Sequence, residues 1–223
     1  RFGKIETHES VTAWGREMLL RAKELAEEMG YRFVHGLTDS LWVQREGAKR
    51  EDYLELARAV EKRTDIPLSL EGVYRWISFL PSRQSPKIGV PARFFGAFDT
   101  GGLKVRGLMV RKRDTPPFVK KALSEILQIL SSAQNKDEYK DLLKKEIQPV
   151  VESYMERLLE GEMEPEEMSI LKRLSHDPLQ YAHGTMTAAV AQELLARGVK
   201  LMPGESIQMV ITAIVNVFLV CAL

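Results

Sequence analysis

The chain has 223 residues, of which 28% are charged and 44% hydrophobic, and its net charge is +1 at pH 7. These values are ordinary for a globular protein and exclude the low-hydrophobicity composition of a disordered chain. The single cysteine, Cys221, excludes an internal disulfide and fits a reducing compartment, so a cytoplasmic protein is expected. The sequence has no Cys/His cluster with the spacing of a zinc site.

Positive charge is concentrated in the middle of the chain. Between Arg83 and Glu125, ten Lys or Arg residues stand against three acidic residues. A local excess of this kind is typical of a surface that binds a polyanion such as nucleic acid. The alternative is a basic surface that is only solvated.

Hydrophobic periodicity predicts the first elements. Apolar residues at helical spacing predict a helix over 9–29, with Trp14 in the core and Gly30 as the C-terminal stop. Two apolar runs joined by a polar turn then predict a hairpin over 31–44. The tip of this hairpin carries an acidic residue, Asp39.

The next elements follow from a change in period. An amphipathic pattern predicts a helix over 50–63, and β-forming residues predict extended structure over 68–80. Residues 92–111 alternate and contain the turn Asp-Thr-Gly-Gly at 99–102, which predicts a second hairpin.

The second half of the chain has a helical character. The segment Asp-Thr-Pro-Pro at 114–117 marks a boundary, after which helical patterns cover 117–133, 137–160, 164–174 and 185–197. Residues 207–223 carry no charge but are slightly short for a membrane span, which needs about 20 apolar residues. Their Val and Ile content favours buried strands. We therefore expect a truncated core segment and no membrane association, with a tail anchor as the alternative.

The hairpin tip has chemistry that suits a divalent metal ion. A carboxylate on a tight turn is rigidly aimed and exposed, which suits Mg²⁺, a cation that prefers oxygen ligands. A two-metal site for phosphoryl transfer needs at least two such carboxylates. Asp and Ser are also common turn residues, so the turn by itself is weak evidence for a metal site and favours a structural role.

Eight segments, taken in chain order, give further information about function. They are residues 9–17, residues 35–40 (His-Gly-Leu-Thr-Asp-Ser), 70–74, 93–96 (Arg-Phe-Phe-Gly), 104–108, 111–114, 177–181 and 191–204. This series resembles the C-terminal palm and thumb of family B DNA polymerases, particularly archaeal ones. Residues 35–40 occupy the place of the third catalytic motif, usually Tyr-Gly-Asp-Thr-Asp-Ser. Residues 93–96 resemble the Lys-Lys-Arg-Tyr motif that contacts primer–template DNA.

The resemblance implies an α+β fold in two parts. Residues 1–114 would form the C-terminal part of the polymerase palm, an antiparallel sheet with packed helices. Residues 115–223 would form a mainly helical thumb that is truncated at its C-terminal end. The resemblance also implies a DNA-directed DNA polymerase with Mg²⁺ as cofactor and double-stranded primer–template DNA as partner.

The same motifs imply which residues form the site. Asp39 matches the second acid of the catalytic motif and is expected to be catalytic and to bind metal, with Glu71 as a second candidate ligand. The residues expected to contact DNA are Thr38, Arg93, Phe94, Lys104, Arg106, Arg111, Lys112 and Arg113.

Departures from the family pattern are concentrated in these motifs. Leu37 replaces the first acid of the catalytic motif, and His35 replaces its tyrosine. Pro91 and Ala92 stand in place of two lysines, and Phe94 replaces a tyrosine. The loss of one carboxylate weakens metal binding. The departures resemble an archaeal subgroup of family B polymerases with degraded active-site motifs.

The resemblance does not extend to the parts that family members carry upstream. These are the exonuclease domain, the fingers that bind the dNTP and the palm strand with the other catalytic aspartate. We therefore expect this chain alone to be inactive and to act with an N-terminal polymerase part, in cis or as a separate chain. The alternative is a catalytically inactive polymerase relic that serves as a DNA-binding or replication scaffold protein.

Overall fold

The computed structural model describes residues 3–181, 184–211 and 218–221, with side chains described up to residue 210. The chain divides into two compact units, Arg1–Lys104 and Val105–Leu223. The boundary predicted from the sequence, after Asp114, lies later in the chain than this division. Helices and small antiparallel sheets occur together, which confirms the α+β class. The palm and thumb assignment stays a prediction.

The first unit is built from two helices and two small sheets. One sheet is a two-stranded antiparallel hairpin, and the other has three strands in chain order, of which the first two pair antiparallel. The bounds are α1 Ile5–Glu28, β1 Arg32–Leu37, β2 Ser40–Gln44, α2 Arg50–Thr64, β3 Tyr74–Pro81, β4 Gly89–Phe98 and β5 Leu103–Arg106, the last of which crosses the division between the units. Both predicted hairpins and the first two predicted helices are confirmed.

Small apolar residues bring the two helices of this unit together. Ala22 and Ala26 of α1 face Leu56 and Val60 of α2, and all four are at least nine-tenths buried. Tyr31 completes this core, and its hydroxyl donates to the backbone carbonyl of Asp52 at 2.9 Å. Burial of these side chains holds α1 against α2, and the hairpin that follows α1 packs on the same core.

The prediction that Trp14 belongs to the core is wrong. Its side chain is 67% exposed, and Val11 is 66% exposed. The core formed by the described residues contacts only the second half of α1, from Ala22 onward. Helical spacing therefore identified an apolar face, but it carried no information about what covers that face.

The second unit combines helices with a further antiparallel sheet. Its helices are α3 Pro117–Ser131, α4 Lys136–Leu142, α5 Gln148–Glu160 and α6 Met186–Ala196, and its strands are β6 Ile170–Arg173, β7 Ser206–Ile211 and β8 Phe218–Cys221. The rings of Phe118 on α3 and Tyr154 on α5 meet edge to face, with centroids 5.3 Å apart. The helix predicted over 137–160 is present as α4 and α5, with an interruption between them.

A single wide turn causes the interruption. Leu143–Ile147 forms a π-helical segment between α4 and α5. Pro149 follows it, and a proline has no N–H to donate and its ring clashes with the carbonyl four residues earlier, here that of Lys145. A π-helical turn accommodates such a position within a helix, and α5 begins at Gln148, directly after it.

The helix predicted over 164–174 is wrong. A 3₁₀ turn, Pro165–Met168, leads instead into strand β6. This strand pairs antiparallel with β7, from Ile170 opposite Met209 to Arg173 opposite Ser206. Four residues are too few for periodicity to separate strand from helix, and the pairing partner lies far along the chain.

The sheet of the second unit supports a core of its own. Residues of α6 pack on it, and the buried members are Ile170, Leu174, Val190, Ala191, Leu194, Ile207 and Met209. This confirms buried strand structure for the described start of the uncharged segment. Residues 212–217 and 222–223 of the uncharged segment, and with them the predicted truncation of the thumb, lie outside the described residues. Within the described part of the chain, no helix is long and apolar enough to cross a bilayer.

Candidate functional site

The hairpin of the first unit places Asp39 at an exposed tip. Leu37 pairs with Ser40 at the end of the ladder, so Thr38 and Asp39 alone form the turn. The Asp39 amide donates to the Leu37 carbonyl at 2.6 Å, and Thr38 has a φ of 50°. A β-branched residue seldom adopts this left-handed conformation, so the turn is tight and conformationally strained. The carboxylate projects from a well-defined backbone.

The turn supplies one carboxylate. The Ser40 hydroxyl donates to Asp39 Oδ1 at 3.1 Å, and Leu37, at the position of a second acid, is partly buried. Within the described residues, no three His, Cys, Asp or Glu side chains come together as a metal-binding group. Because two-metal chemistry needs at least two carboxylates, the described residues do not fit a two-metal site by themselves.

Glu71, the second candidate ligand, is engaged by a cation. Lys104, which was predicted to contact DNA, forms an ion pair with the Glu71 carboxylate. The Lys104 side chain is 24% exposed and that of Glu71 is 59% exposed. The structure therefore brings two predicted site residues together, but as partners of each other.

An aromatic cluster joins the hairpin to the three-stranded sheet. His35 lies 4.9 Å from Trp42 and 5.2 Å from Phe79, measured between ring centroids. Phe94 contacts both of these partners, at 5.5 Å and 5.3 Å. We call His35, Trp42, Phe79 and Phe94 the aromatic cluster. Two departures from the family motifs, at residues 35 and 94, thus occur in one contact.

Burial perturbs the titration of His35. Its Nε2 atom is buried and has no hydrogen-bond partner among the described residues. Burial lowers the pKa of the imidazole below its ordinary value, and a hydrogen bond to the backbone of Pro91 opposes this shift. The cluster therefore favours neutral His35.

The strand that carries Arg93 is fixed in place by a glycine. A Cβ on Gly96 would lie 2.8 Å from Cδ1 of Tyr74 and 2.9 Å from the carbonyl oxygen of Trp76, so only glycine fits without displacement. Arg93 is exposed, whereas Phe94 is fully buried. The Phe94 side chain is thus not available to a duplex, although it was predicted to contact DNA.

The second unit displays four of the predicted DNA-binding cations. Arg106, Arg111, Lys112 and Arg113 are all exposed, and none of them forms an ion pair within the described part of the chain. Arg111 ends a 3₁₀ turn, Met109–Arg111. These side chains are free to neutralise phosphates.

One contact near these cations has no signal in the sequence. Asp114 Oδ2 lies 2.6 Å from Lys172 Nζ on β6, across 58 residues of chain. The hydrogen bond from Lys172 and its charge lower the pKa of the Asp114 carboxyl. Local patterns cannot predict such a pair, because nothing near either residue indicates the other.

Comparisons with known proteins agree with the motif series. The sequence profile of DNA polymerase family B matches residues 4–216. The chain is 30% identical over 189 residues to the DNA polymerase of Archaeoglobus fulgidus, covering 85% of this chain and 22% of that protein. It is 35% identical over 161 residues to DNA polymerase 2 of Saccharolobus solfataricus, covering 72% of this chain and 24% of that protein.

A solved structure extends the agreement to the fold. The family B DNA polymerase of Pyrobaculum calidifontis matches 96% of this chain with a TM-score of 0.59 and 25% identity, over 25% of that polymerase. The chain thus spans a quarter or less of the length of these relatives. With a family profile that matches nearly all of its residues, the chain belongs to DNA polymerase family B.

Proposed function

We propose that the chain forms the C-terminal part of the palm and the thumb of a DNA-directed DNA polymerase. In this role it binds primer–template duplex and contributes Asp39 to a Mg²⁺ site that other palm residues complete. The observation that carries the proposal is the exposed carboxylate on a tight two-residue turn, within a chain of this family. Glu71 is a further candidate ligand only after it separates from Lys104.

Exposed cations support the proposed duplex binding. Arg93 in the first unit and Arg106, Arg111, Lys112 and Arg113 in the second are exposed and lack ion-pair partners among the described residues. Contacts of Lys and Arg with phosphates bind DNA regardless of its sequence, which suits a protein that moves along a template. Thr38, exposed beside Asp39, is the remaining candidate contact.

The proposal assigns the rest of the activity to an N-terminal polymerase part. That part supplies the second catalytic carboxylate and the fingers that hold the dNTP, in cis or as a separate chain. The exposed first half of α1, with Val11 and Trp14, offers an apolar surface for it. On this proposal the chain alone is inactive, and the assembled enzyme acts in the cytoplasm.

A second candidate function is a catalytically inactive DNA-binding or replication scaffold. Two observations favour it. Leu37 removes one acid from the catalytic turn, and Lys104 neutralises the only other candidate ligand, Glu71. The exposed cations of the second unit would still bind a duplex in such a protein.

A chimeric polymerase separates the two candidates. The chain replaces the matching quarter of the Archaeoglobus fulgidus DNA polymerase, and primer extension is measured with Mg²⁺. Three versions are compared: the chain as it is, Asp39→Ala and Leu37→Asp. Duplex binding by each version serves as the control for folding.

The outcomes are distinct. Extension by the unchanged chimera that Asp39→Ala abolishes supports the catalytic proposal and excludes the scaffold. Extension only after Leu37→Asp locates the defect at the turn and favours the inactive relic. If all three versions bind duplex with a normal salt dependence yet none extends the primer, the catalytic proposal fails.

A further inference from the structure

The segment between β5 and α3 presents three consecutive cations, Arg111, Lys112 and Arg113, which we call the basic segment. Its N-terminal side is fixed by the 3₁₀ turn. The amide of Arg111 donates to the Leu108 carbonyl at 3.1 Å, and that of Lys112 donates to the Met109 carbonyl at 2.9 Å. Leu108 itself is buried. One end of the basic segment is therefore attached to the second unit.

The C-terminal side is fixed differently. Asp114 directly follows the basic segment and pairs with Lys172 of β6 at 2.6 Å. The next residue, Thr115, is 3% exposed, and α3 begins at Pro117. Because β6 is paired along its length with β7, Lys172 provides a rigid attachment point.

Electrostatic attraction to a duplex does not explain why an acidic residue stands at position 114. A carboxylate beside three cations that bind phosphates repels the duplex. If the carboxylate needed only a positive charge nearby, Lys112 or Arg113 would supply one. The Asp114 carboxylate nevertheless bonds to Lys172, 58 residues away. Both side chains keep substantial exposure, 43% for Asp114 and 37% for Lys172, so the pair contributes little to the free energy of folding.

We propose that Asp114 is a positioning residue for duplex binding, which through its ion pair with Lys172 holds the basic segment in one orientation. The proposal rests on the proposed duplex interface. Its physical basis is pre-organisation: cations that are already oriented lose less conformational entropy when they meet phosphates. Asp114 does not touch DNA in this account, and Lys172 is held by Asp114 and is not itself a phosphate ligand.

The variant Asp114→Asn gives opposite expectations for positioning and for charge. If Asp114 acts only through its charge, removing it raises the affinity for a duplex. If it positions the basic segment, we expect the dissociation constant to rise about threefold to tenfold, the loss from one or two side chains that must be ordered on binding. The slope of log affinity against log salt should also become shallower by about one.

The experiment measures binding of a fluorescent primer–template duplex to the 223-residue chain over a salt series. Asp99→Asn is the matched control, since it removes an exposed acid of the same basic region that forms no ion pair in the described residues. It should bind as the parent does, or more tightly. Asp114→Glu keeps the negative charge and an acid that can pair with Lys172, so it should stay close to the parent affinity and slope. Urea midpoints of all variants should match.

Two results would overturn the proposal. Unchanged or tighter binding by Asp114→Asn would assign the residue to charge alone. Failure of Asp114→Glu to bind more tightly than Asp114→Asn would show that the ion pair is not what matters. The triple variant Arg111→Gln, Lys112→Gln, Arg113→Gln tests the underlying interface separately. If it weakens binding while Asp114→Asn does not, only the positioning fails; if it has no effect, the proposed interface fails with it.

Discussion

His35 and Phe94 differ from the tyrosines that the family motifs usually carry, and the structure brings the two positions into one aromatic cluster. Two separate motifs have thus changed where they pack together. Both replacements are aromatic, so the contact between the hairpin and the sheet keeps its rings while losing two hydroxyls. Leu37, by contrast, stands where the family motif has a charged residue, and it places an apolar side chain beside the turn that carries Asp39. The departures therefore preserve packing in one place and remove charge in another.

Burial of His35 makes the stability of the first unit depend on pH. The unfolded chain takes up a proton near the ordinary pKa of 6.5, while the folded chain does so only at lower pH. The stabilising contribution is thus complete above the unfolded pKa and is lost as the pH falls through the folded pKa. We expect the urea midpoint to fall between about pH 8 and about pH 5.

Two histidine variants, one a test and one a control, check the source of this pH dependence. His35→Phe keeps a ring in the aromatic cluster and should remove part of the fall in midpoint. His8→Gln changes an exposed histidine of α1 and serves as the control for the loss of a histidine outside the aromatic cluster. An identical pH dependence in all three proteins would show that His35 does not stay neutral in the folded state.

Gly96 gives a second prediction at the scale of single residues. Gly96→Ala inserts a methyl group 2.8 Å from the Tyr74 ring and 2.9 Å from a backbone oxygen, and we expect it to destabilise the chain by about 1–3 kcal/mol. Gly15→Ala is the control, because its Cβ would meet nothing within 4 Å and alanine favours a helix. Equal urea midpoints for the two variants would contradict the close approach seen at Gly96.

At the scale of elements, the basic segment gives a prediction about the salt dependence of duplex binding. Charge reversal of Arg111 and Arg113 to Glu removes two exposed residues that we propose as phosphate ligands, so the salt-dependence slope should decrease in magnitude by about two. The control reverses Arg16 and Arg58, two exposed arginines of α1 and α2, for the same change in net charge. Equal loss of slope in both double variants would mean that net charge, and not this surface, determines binding.

The elements also show what local sequence patterns can predict. Helices α1, α2 and α6 and both hairpins of the first unit follow from periodicity and turn residues close to them in sequence. Strand β6 does not, because its partner β7 lies beyond an intervening helix. The ion pairs of Lys104 and Lys172 span 33 and 58 residues and have no local signal at all. Motif order located Asp39 and the cations, but not which of them would be neutralised.

At the scale of the whole molecule, the exposed first half of α1 allows a test of whether this chain acts within a larger polymerase. Trp14 is 67% exposed, while Trp42 and Trp76 are at least nine-tenths buried. In the chimera, we expect the added palm to cover Trp14. Acrylamide should then quench the fluorescence of the 223-residue chain more strongly than that of the same tryptophans in the chimera.

Substitution of the other tryptophans makes this measurement specific. A chain and a chimera with Trp14 as the only tryptophan of this region report on that residue, and Trp14→Phe in each provides the background. Equal quenching of Trp14 in the two proteins would mean that α1 stays exposed in the larger assembly. The proposed surface for the N-terminal part would then be located elsewhere.

The ion pair between Glu71 and Lys104 has a consequence for how two ligands would influence each other. The Glu71 carboxylate and the Lys104 ammonium are paired with each other. A divalent cation that bound the carboxylate would therefore release the ammonium, and a phosphate that bound the ammonium would release the carboxylate. Such linkage is reciprocal, so each ligand would strengthen the binding of the other by the same factor. Added divalent salt ordinarily weakens the binding of DNA by screening and competition. At this ion pair the two ligands would be cooperative, because each one removes the other's internal competitor.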